Sequence, residues 1–372
     1  MFLFKKKPKS YLGIDIGASA IKLVELEKEE GRHKLKNYAI FSLKEYLKEA
    51  WYQTSSEFRK LPNEELAGIV KETIKEAKII SQAAYFSLPV YSSFSTLIDF
   101  PTMSEKEIET AIPFEAKKYV PVPISEVILD WSIIDSLGQQ KGLQVLLMAV
   151  PKKNINHYRK VIQSAGLNIS ALESEIFSLS RALVGNDKST VIIIDMGARS
   201  VSLSIIDDGY IRVINNLEMG GLKLTKTISQ QMNISLKEAE ELKKNLSANQ
   251  AASQSRAKIY GEPVESISRP GEQSAQLKEI IHSVLNAVIF EIKKVIDSYQ
   301  SKYNRRVEKC ILAGGGVQVP GFADYFINKL GLEASLGNPF ARVIYPPLLE
   351  PAVKELGPSL AVAVGLAMRG GE

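Results

Sequence analysis

Hydrophobic and polar positions near the start of the chain alternate in two short runs joined by small residues. Residues 11–16 read YLGIDI and residues 20–27 read AIKLVELE, with Gly-Ala-Ser between them. Alternation with a period of two is typical of strands, and a short turn between two such runs indicates a β-hairpin. A further run, KLKNYAIFSL, follows a charged turn and predicts a third strand beside this hairpin.

The chain repeats this pattern in its second half, where residues 191–207 read VIIIDMGARSVSLSIID. Asp15 aligns with Asp195 and Gly17 with Gly197 at one offset, 195 − 15 = 180 residues. An alanine and a leucine in each copy match at the same offset. Two copies with matching flanks predict two similar domains, each containing one such hairpin.

Apolar residues at helical spacing predict several helices along the chain. These predicted helices cover residues 61–79, 154–166, 167–185, 221–232, 235–245, 277–300 and 359–369. The run KCILAG predicts a strand that ends at three glycines, before a short helix from Pro320. Residues 247–275 are polar and contain Gly-Glu-Pro and Arg-Pro-Gly, which predicts a long loop or an irregular hairpin.

Residues 90–165 differ in organisation from the rest of the first half. Their pattern predicts a strand, a helix, two strands and a second helix. Ser104 and Glu107 match the S-x-x-E capping box at the start of the first of these helices, and Pro113 predicts that this helix kinks or restarts. We interpret this block as a small α+β subdomain inserted into the first domain.

Composition narrows the class of protein. The 372 residues are 45% hydrophobic and 24% charged, which suggests two or three globular domains. The net charge of +5 is small, and no dense basic run lies in the body of the chain, which argues against a nucleic-acid-binding protein. The single cysteine excludes a disulfide framework, and the three histidines share no metal-ligand spacing.

The chain starts with MFLFKKKPKS, and no run of residues is long and apolar enough to predict a membrane span. Two interpretations of this start remain open. It is a frayed tail, or Phe2 and Phe4 enter a membrane surface while Lys5, Lys6 and Lys7 meet anionic lipid.

The two predicted turns are suited to binding phosphate. Small residues leave backbone N–H groups accessible to phosphate oxygens, and an aspartate at the end of each strand suits Mg²⁺ held through retained waters. Lys22 lies on the second strand and can reach a phosphate. The run AGGGVQVPGF at residues 313–322 adds three consecutive glycines, which indicate close approach of the backbone to another body, such as adenosine, or a tight turn.

The order IDIG, VIIIDMG and ILAGGG resembles the actin-like ATPase superfamily, which includes heat-shock chaperones, sugar kinases and FtsA. Within it, the runs DFPTMSEKEIETAIPFEAKKYVPVPISEVILDW, SLKEAEELKKN and GGGVQVPGF are similar to the PilM family of type IV pilus assembly. The resemblance implies an α/β fold with two pseudo-symmetric RNase H-like domains flanking a nucleotide cleft, and a small inserted α+β subdomain.

The resemblance also implies a division of the chain. The first domain takes residues 1–89 and 166–189, around an inserted subdomain at 90–165. The second domain takes residues 190–232 and 305–372, around a helical subdomain at 233–304.

The resemblance implies ATP and Mg²⁺ as cofactors. The residues it implies for nucleotide binding are Asp15, Gly17, Ala18, Ser19, Lys22, Asp195, Gly197, Ser200, Glu240, Lys243, Gly314, Gly315 and Gly316. Asp15 and Asp195 are the implied metal-binding residues, and Glu240 with Lys243 is the implied pair for ribose and base. A solvated salt bridge between residues three apart on a helix is the alternative interpretation of that pair.

The sequence identifies a catalytic residue less clearly than it identifies the binding residues. Hydrolysing relatives place a carboxylate or amide on the helix before the second hairpin, and Glu173 and Glu175 are both candidates for this role. Arg199 in the second turn is unexpected in an efficient phosphate clamp. We therefore expect slow or absent hydrolysis.

The implied role is a cytoplasmic adaptor at the inner membrane, which holds the short N-terminal tail of a PilN-like membrane protein. That tail is expected in a groove where the inserted subdomain meets the first domain. The first alternative is an FtsA-like division protein, although the sequence ends at GLAMRGGE without the amphipathic helix such proteins carry. The second is a sugar or small-molecule kinase, which needs an aspartate base in the cleft, whereas Asp99 and Asp130 lie in the inserted subdomain, where such a base is not expected. Homo-oligomer formation is left open.

Overall fold

The computed structural model describes residues 10–53, 61–134, 142–244, 272–319 and 321–371. The predicted N-terminal tail and most of the predicted loop at 247–275 therefore lie outside the described residues. The described residues form two large sheets and one small sheet, with helices against them.

The first sheet has the strand order β14-β3-β2-β1-β4-β8. Its strands are β1 (Ser10–Ile16), β2 (Ala20–Glu29), β3 (Arg32–Ser42), β4 (Ala83–Leu88), β8 (Asn168–Ser174) and β14 (Val343–Ile344). The predicted hairpin and the third strand beside it are confirmed, since β1 pairs antiparallel with β2 and β2 with β3. Asp15 lies opposite Lys22 in this register, which places both side chains on the same face of the sheet.

The second sheet has the order β11-β10-β9-β12-β13 and contains the second predicted hairpin. Its strands are β9 (Val191–Met196), β10 (Val201–Asp207), β11 (Tyr210–Leu217), β12 (Lys309–Ala313) and β13 (Glu333–Leu336). The β12 strand runs parallel to β9, with Ala313 beside Asp195. This register brings the three glycines that follow β12 next to the turn of the second hairpin.

The small sheet belongs to the predicted inserted block and has the order β5-β7-β6. Its strands are β5 (Phe94–Phe100), β6 (Val127–Ile134) and β7 (Leu143–Pro151), and its helix is α4 (Glu105–Ala116). The capping box of Ser104 and Glu107 is confirmed, and α4 continues through Pro113. The helix α5 (Lys152–Ser164) packs against the core of the first sheet.

The remaining helices complete the layers. They are α1 (Leu43–Leu47), α2 (Glu49–Gln53), α3 (Asn63–Glu76), α6 (Glu175–Leu179), α7 (Gly221–Met232), α8 (236–244), α9 (Glu272–Tyr303), α10 (Phe322–Leu330) and α11 (Glu350–Gly370). In the described part of the chain, no helix combines the length and apolarity required to cross a membrane.

The helical prediction for residues 167–185 was wrong in its first half. Residues Asn168–Ser174 form the strand β8, which pairs parallel with β4, and α6 begins only at Glu175. Ser180–Val184 then continue as a π-helical turn. Leucine and isoleucine spacing alone favoured a helix, whereas pairing with a distant strand decides the outcome, because strand formation depends on tertiary context.

The long helix α11 joins the two large sheets. Its Ala363, Val364 and Ala367 pack with Val24 and Leu26 of the first sheet. Another stripe of the same helix packs with Val191 and Ile193 of the second sheet. The helix therefore fixes the two hairpin turns relative to each other, which positions the cleft described next.

Candidate functional site

The turns of the two hairpins, the loop after β12 and helix α8 line one cleft with a volume of about 510 Å³. This volume lies within the range of about 300–1,000 Å³ that is usual for small-molecule sites. The cleft opens between the two large sheets, as expected for a ligand held by both halves of the chain.

The two turns share one backbone geometry. The N–H of Gly17 donates to the carbonyl of Ala20 at 3.0 Å, and the N–H of Gly197 donates to the carbonyl of Ser200 at 2.9 Å. A Cβ atom at Gly197 would lie 3.0 Å from that carbonyl oxygen, so a side chain would crowd the turn. The two copies of the sequence pattern therefore form turns with the same hydrogen bond.

Three carboxylates and one ammonium group meet at the buried end of the cleft. Asp15 is 5% exposed and accepts hydrogen bonds from Lys22 at 3.1 Å and Ser87 at 2.9 Å. Asp195 and Glu175 line the same cleft. With all of these groups ionised, three negative carboxylates face a single positive ammonium group.

Burial and this excess of negative charge shift Asp195 and Glu175 towards their protonated forms. Burial, together with the charge of Asp15, raises the pKa of Asp195 to about 6, although Lys22 opposes this shift. Burial, followed by the charges of Asp195 and Asp15, raises the pKa of Glu175 to about 8. Such shifts are expected where like charges share a poorly solvated site.

The same cluster has the chemistry of a Mg²⁺ site. A divalent cation favours oxygen ligands and would relieve the repulsion between the carboxylates. Among the residues that the structure describes, no three or more His, Cys, Asp or Glu side chains are arranged to hold a metal ion directly. The arrangement therefore fits a cation that keeps its waters and contacts one or two carboxylates.

The three glycines after β12 differ in their surroundings. A Cβ atom at Gly314 would lie 2.4 Å from Oδ1 of Asp195, and one at Gly316 would lie 2.8 Å from the carbonyl oxygen of Met196. Gly314 also has φ of +85°, a conformation that favours glycine. A Cβ atom at Gly315 would meet nothing within 4 Å, and Gly315 faces the cleft.

Glu240 and Lys243 form a buried pair on α8, with Nζ and Oε2 at 2.6 Å. The side chains are 6% and 7% exposed, so the solvated salt bridge considered as an alternative does not describe them. Thr225 donates to Glu240 at 2.5 Å, and Lys44 of α1 also forms an ion pair with Glu240. The Lys44 pair connects the two walls of the cleft.

The structure brings most of the predicted site residues together. The cleft is lined by Asp15, Gly17, Ala18, Ser19, Lys22, Asp195, Gly197, Ser200, Glu240, Lys243, Gly314, Gly315 and Gly316. Of the two candidate catalytic glutamates, Glu175 lines the cleft and accepts from the N–H of Val90 at 3.2 Å. Glu173 lies on β8 and does not line it.

The Glu173 carboxylate is held by two arginines instead. Arg181 donates to its Oε1 at 2.7 Å, and Arg369 of α11 is 2.5 Å from its Oε2. Glu173 is 8% exposed, so this cluster ties β8 to the C-terminal helix. The two glutamates have different surroundings because Glu173 belongs to β8, whereas Glu175 is the first residue of α6.

Sequence reasoning missed several residues of the cleft. The N–H of Gly221 donates to the carbonyl of Gly197 at 3.1 Å, and a Cβ atom at Gly220 would lie 2.4 Å from the backbone of Arg199. The Gly-Gly dipeptide before a helix was a signal that could have identified this contact. Lys44 of the cleft, and Ser87, which donates to Asp15 behind it, carried no such signal, because their roles depend on contacts with distant parts of the chain.

Arg199 lies at the edge of the cleft and is engaged by protein groups. Its guanidinium carbon lies 4.0 Å from the ring centroid of Tyr91, and the side chain forms an ion pair with Glu218 at 3.6 Å. The two candidate kinase bases lie elsewhere. Asp99 accepts from Gln144 at 2.7 Å on β5, Asp130 is exposed on β6, and neither lines the cleft.

The structure contains two repeated hairpins, a glycine loop after β12 and a helix, α11, that joins the two large sheets. These features define an actin-like ATPase fold. A solved PilM-PilN type IV pilus biogenesis complex matches with a TM-score of 0.76 and 26% identity, over 97% of this chain and 98% of that one. The family of type IV pilus assembly protein PilM matches residues 13–255. The chain belongs to this family.

Other relatives share the fold. Cell division protein FtsA of Enterococcus faecalis is 25% identical over 365 residues, which cover 90% of this chain and 82% of that protein. The FtsA family matches residues 192–365. The ethanolamine utilization protein EutJ of Carboxydothermus hydrogenoformans matches with a TM-score of 0.52 and 16% identity, over 97% of this chain and 90% of that one.

Replacement of Glu175 by glutamine is expected to stabilise the nucleotide-free protein. The folded-state pKa of about 8 exceeds the ordinary 4.5, so the folded state holds a proton that the unfolded state releases between these pH values. Wild-type stability therefore falls as pH rises through this window, and the variant lacks this loss. We expect a gain of about 2 kcal/mol at neutral pH in urea unfolding.

The matched variant Glu173→Gln is expected to have the opposite sign. It weakens hydrogen bonds to two arginines and should lower the free energy of unfolding by about 1–3 kcal/mol. The gain from Glu175→Gln should vanish near pH 4.5. An equal effect of Glu175→Gln at low and neutral pH would contradict the assignment of a strained buried carboxyl group.

Proposed function

We propose that this protein is an ATP-binding adaptor of type IV pilus assembly, which holds the short cytoplasmic tail of a PilN-like inner-membrane protein. The observation that carries the proposal is the convergence of both repeated turns, the three glycines and the Glu240–Lys243 pair in one cleft. Family membership supports the assignment of this cleft to pilus assembly.

In this proposal each wall of the cleft has a distinct part in nucleotide binding. Backbone N–H groups of the two turns bind phosphate oxygens, and Lys22 supplies a positive charge beside them. Glu240 accepts hydrogen bonds from the ribose, and Gly315 lets the nucleoside approach the backbone. When bound, Mg²⁺ would neutralise phosphate charge, and Asp15 and Asp195 would hold it through waters.

Slow hydrolysis is part of the proposal. Glu175 is the carboxylate that faces the cleft, and we assign to it the positioning of water. Burial and neighbouring carboxylates disfavour its ionised form, which makes it a poor base before a cation arrives. Arg199 is held by Tyr91 and Glu218, so it is not free to serve the phosphates.

The proposed partner is a short cytoplasmic tail of a PilN-like protein. The similar solved protein is described as a PilM-PilN complex, which supports a partner of this kind. Attachment to that partner would place the protein at the cytoplasmic face of the inner membrane. A groove between the inserted block and the first domain remains the predicted position of the tail.

An FtsA-like protein that polymerises at the membrane is the second candidate. The match of the FtsA family to residues 192–365 favours it. The two functions differ in what the protein binds, so one experiment separates them.

The test of the proposed function is fluorescence polarisation with a labelled tail peptide of the PilN-like protein from the same genome. We expect saturable binding to the full chain, because the inserted block adds surface that nucleotide binding does not need. A scrambled peptide is the control. Binding should be lost when residues 94–151 are replaced by a short linker, while ATP binding persists.

The FtsA-like function predicts a different result. If the peptide does not bind at high micromolar protein, and ATP induces filaments in electron micrographs, the FtsA-like function replaces the adaptor function.

A further inference from the structure

Helix α5 carries one exposed face on which every charged side chain is positive. Its opposite face is buried, with Val161, Ile162 and Ala165 in the core of the first sheet. The exposed positions repeat at i, i+1, i+4, i+7, i+8 and i+11, which covers about a third of the helix circumference and about 17 Å along the axis. Their residues are Lys152, Lys153, Asn156, Arg159, Lys160 and Gln163. We call this face the α5 stripe.

The cations of the α5 stripe are not balanced by acidic side chains. The helix sequence, KKNINHYRKVIQS, contains no aspartate or glutamate. Exposed lysines elsewhere pair with a glutamate three residues earlier, as in Lys75–Glu72, Lys118–Glu115 and Lys294–Glu291. Among the residues that the structure describes, no ion pair joins a cation of the stripe to a carboxylate. Four cations without a carboxylate give the stripe a formal charge of +4.

Two of these cations lie where a helix disfavours positive charge. Lys152 and Lys153 belong to the first turn of α5, where backbone N–H groups already give a partial positive charge. Pro151 precedes the helix without a side-chain cap, and the turn has no acidic residue. Helix stability therefore does not account for lysines at these positions, whereas contact with an anionic partner does.

The α5 stripe lies at the junction of the inserted block and the first domain. Helix α5 begins directly after β7 of the inserted block, and Nδ2 of Asn154 donates to the carbonyl of Ser92, ahead of β5, at 2.8 Å. The second half of the helix packs on the first sheet. The proposed function puts the tail of the partner at this junction. Since that tail is short, a membrane protein bound there keeps the junction close to the bilayer surface.

We propose that the α5 stripe docks on anionic phospholipid headgroups of the inner membrane. The inference rests on the proposed function, which brings this junction to the bilayer. No large apolar side chain of α5 is exposed, so the contact is with headgroups and not with acyl chains. Each cation near an anionic surface strengthens binding about fivefold, and the attraction extends over about 10 Å at moderate salt. Nucleic acid is the less suitable polyanion, because the net charge of the whole chain is only +5.

The test is flotation of the full chain with vesicles, made either of phosphatidylcholine alone or of equal parts phosphatidylcholine and phosphatidylglycerol. We expect binding only to the second kind of vesicle, and added salt should weaken it because the contact is electrostatic. Two double variants divide the stripe, Lys152→Glu with Lys153→Glu and Arg159→Glu with Lys160→Glu. Each should raise the lipid concentration for half-maximal binding by about 25-fold or more, at about fivefold for each cation.

The matched control is Lys223→Glu with Lys293→Glu, at exposed positions of α7 and α9. It changes the net charge by the same amount, but neither position belongs to the stripe, so its effect should stay below about threefold. Glutamates in the first turn of α5 suit the helix dipole, so the melting temperature of the first double variant should not fall. Its loss of lipid binding would then not come from unfolding.

Absence of binding to anionic vesicles at millimolar lipid, an equal loss in the control, or a loss in the first double variant alone would overturn the proposal. Binding that survives both double variants but disappears on deletion of residues 1–9 would also overturn it, because the N-terminal tail would then be the membrane contact. Stripe-dependent binding of a DNA duplex without binding of vesicles would overturn it in favour of nucleic acid. Tail-peptide polarisation is measured without vesicles, so failure of the adaptor function and failure of lipid docking are separate results.

Discussion

Gly315→Val is expected to abolish Mg-ATP binding while leaving the fold intact. The new side chain meets no protein atom within 4 Å of its Cβ position, so it does not strain the native structure. It projects into the cleft, where a nucleoside would have to approach the backbone. We expect the Kd for Mg-ATP to rise by about 100-fold or more in calorimetry, with an unchanged melting temperature.

The neighbouring glycine provides the contrast. Gly314→Val would place a Cβ atom 2.4 Å from Asp195 on a backbone with φ of +85°, so it should lower stability as well as binding. Loss of nucleotide binding by Gly315→Val without loss of stability would show that the substitution acts on the binding site and not on the fold. An unchanged Kd in a folded Gly315→Val protein would remove the basis for a nucleotide in this cleft.

Gly365→Val is expected to destabilise the protein by about 4 kcal/mol or more, or to prevent folding. Gly365 lies in α11 where this helix crosses α6, and a Cβ atom there would be 2.0 Å from the carbonyl oxygen of Ser178. Because the clashing atom belongs to the backbone, it cannot move aside as the end of a flexible side chain can. The helix would have to move away from the first sheet, and it also packs on the second.

The matched control is Gly68→Val in α3. Gly68 is also a helical glycine, but it is exposed and has nothing within 4 Å of its Cβ position. Valine and glycine differ little in helix propensity, so the change in urea unfolding should stay below about 0.5 kcal/mol. Equal effects at the two positions would show that close approach of α11 is not what holds the two sheets together.

Local patterns sufficed to predict much of the lining of the cleft. The period of two in each hairpin, the small residues of each turn and the three glycines all act over a few residues. The repeat at an offset of 180 residues placed Asp15 and Asp195 at the ends of equivalent strands, just before the two turns, and the structure gives these turns the same hydrogen bond. Resemblance to a family added the pair on α8, which spacing alone left open as a surface salt bridge.

The sequence by itself determined the two hairpins and the glycine loop, because their conformation follows from side-chain size and alternation within a short segment. Only the tertiary structure places Glu175 in the cleft and Glu173 outside it, since a strand pairing with distant β4 sets where α6 begins. It also decided that Lys44 reaches Glu240 across the cleft. Such contacts join segments far apart in the chain, and their energy comes from burial and charge that no local pattern encodes.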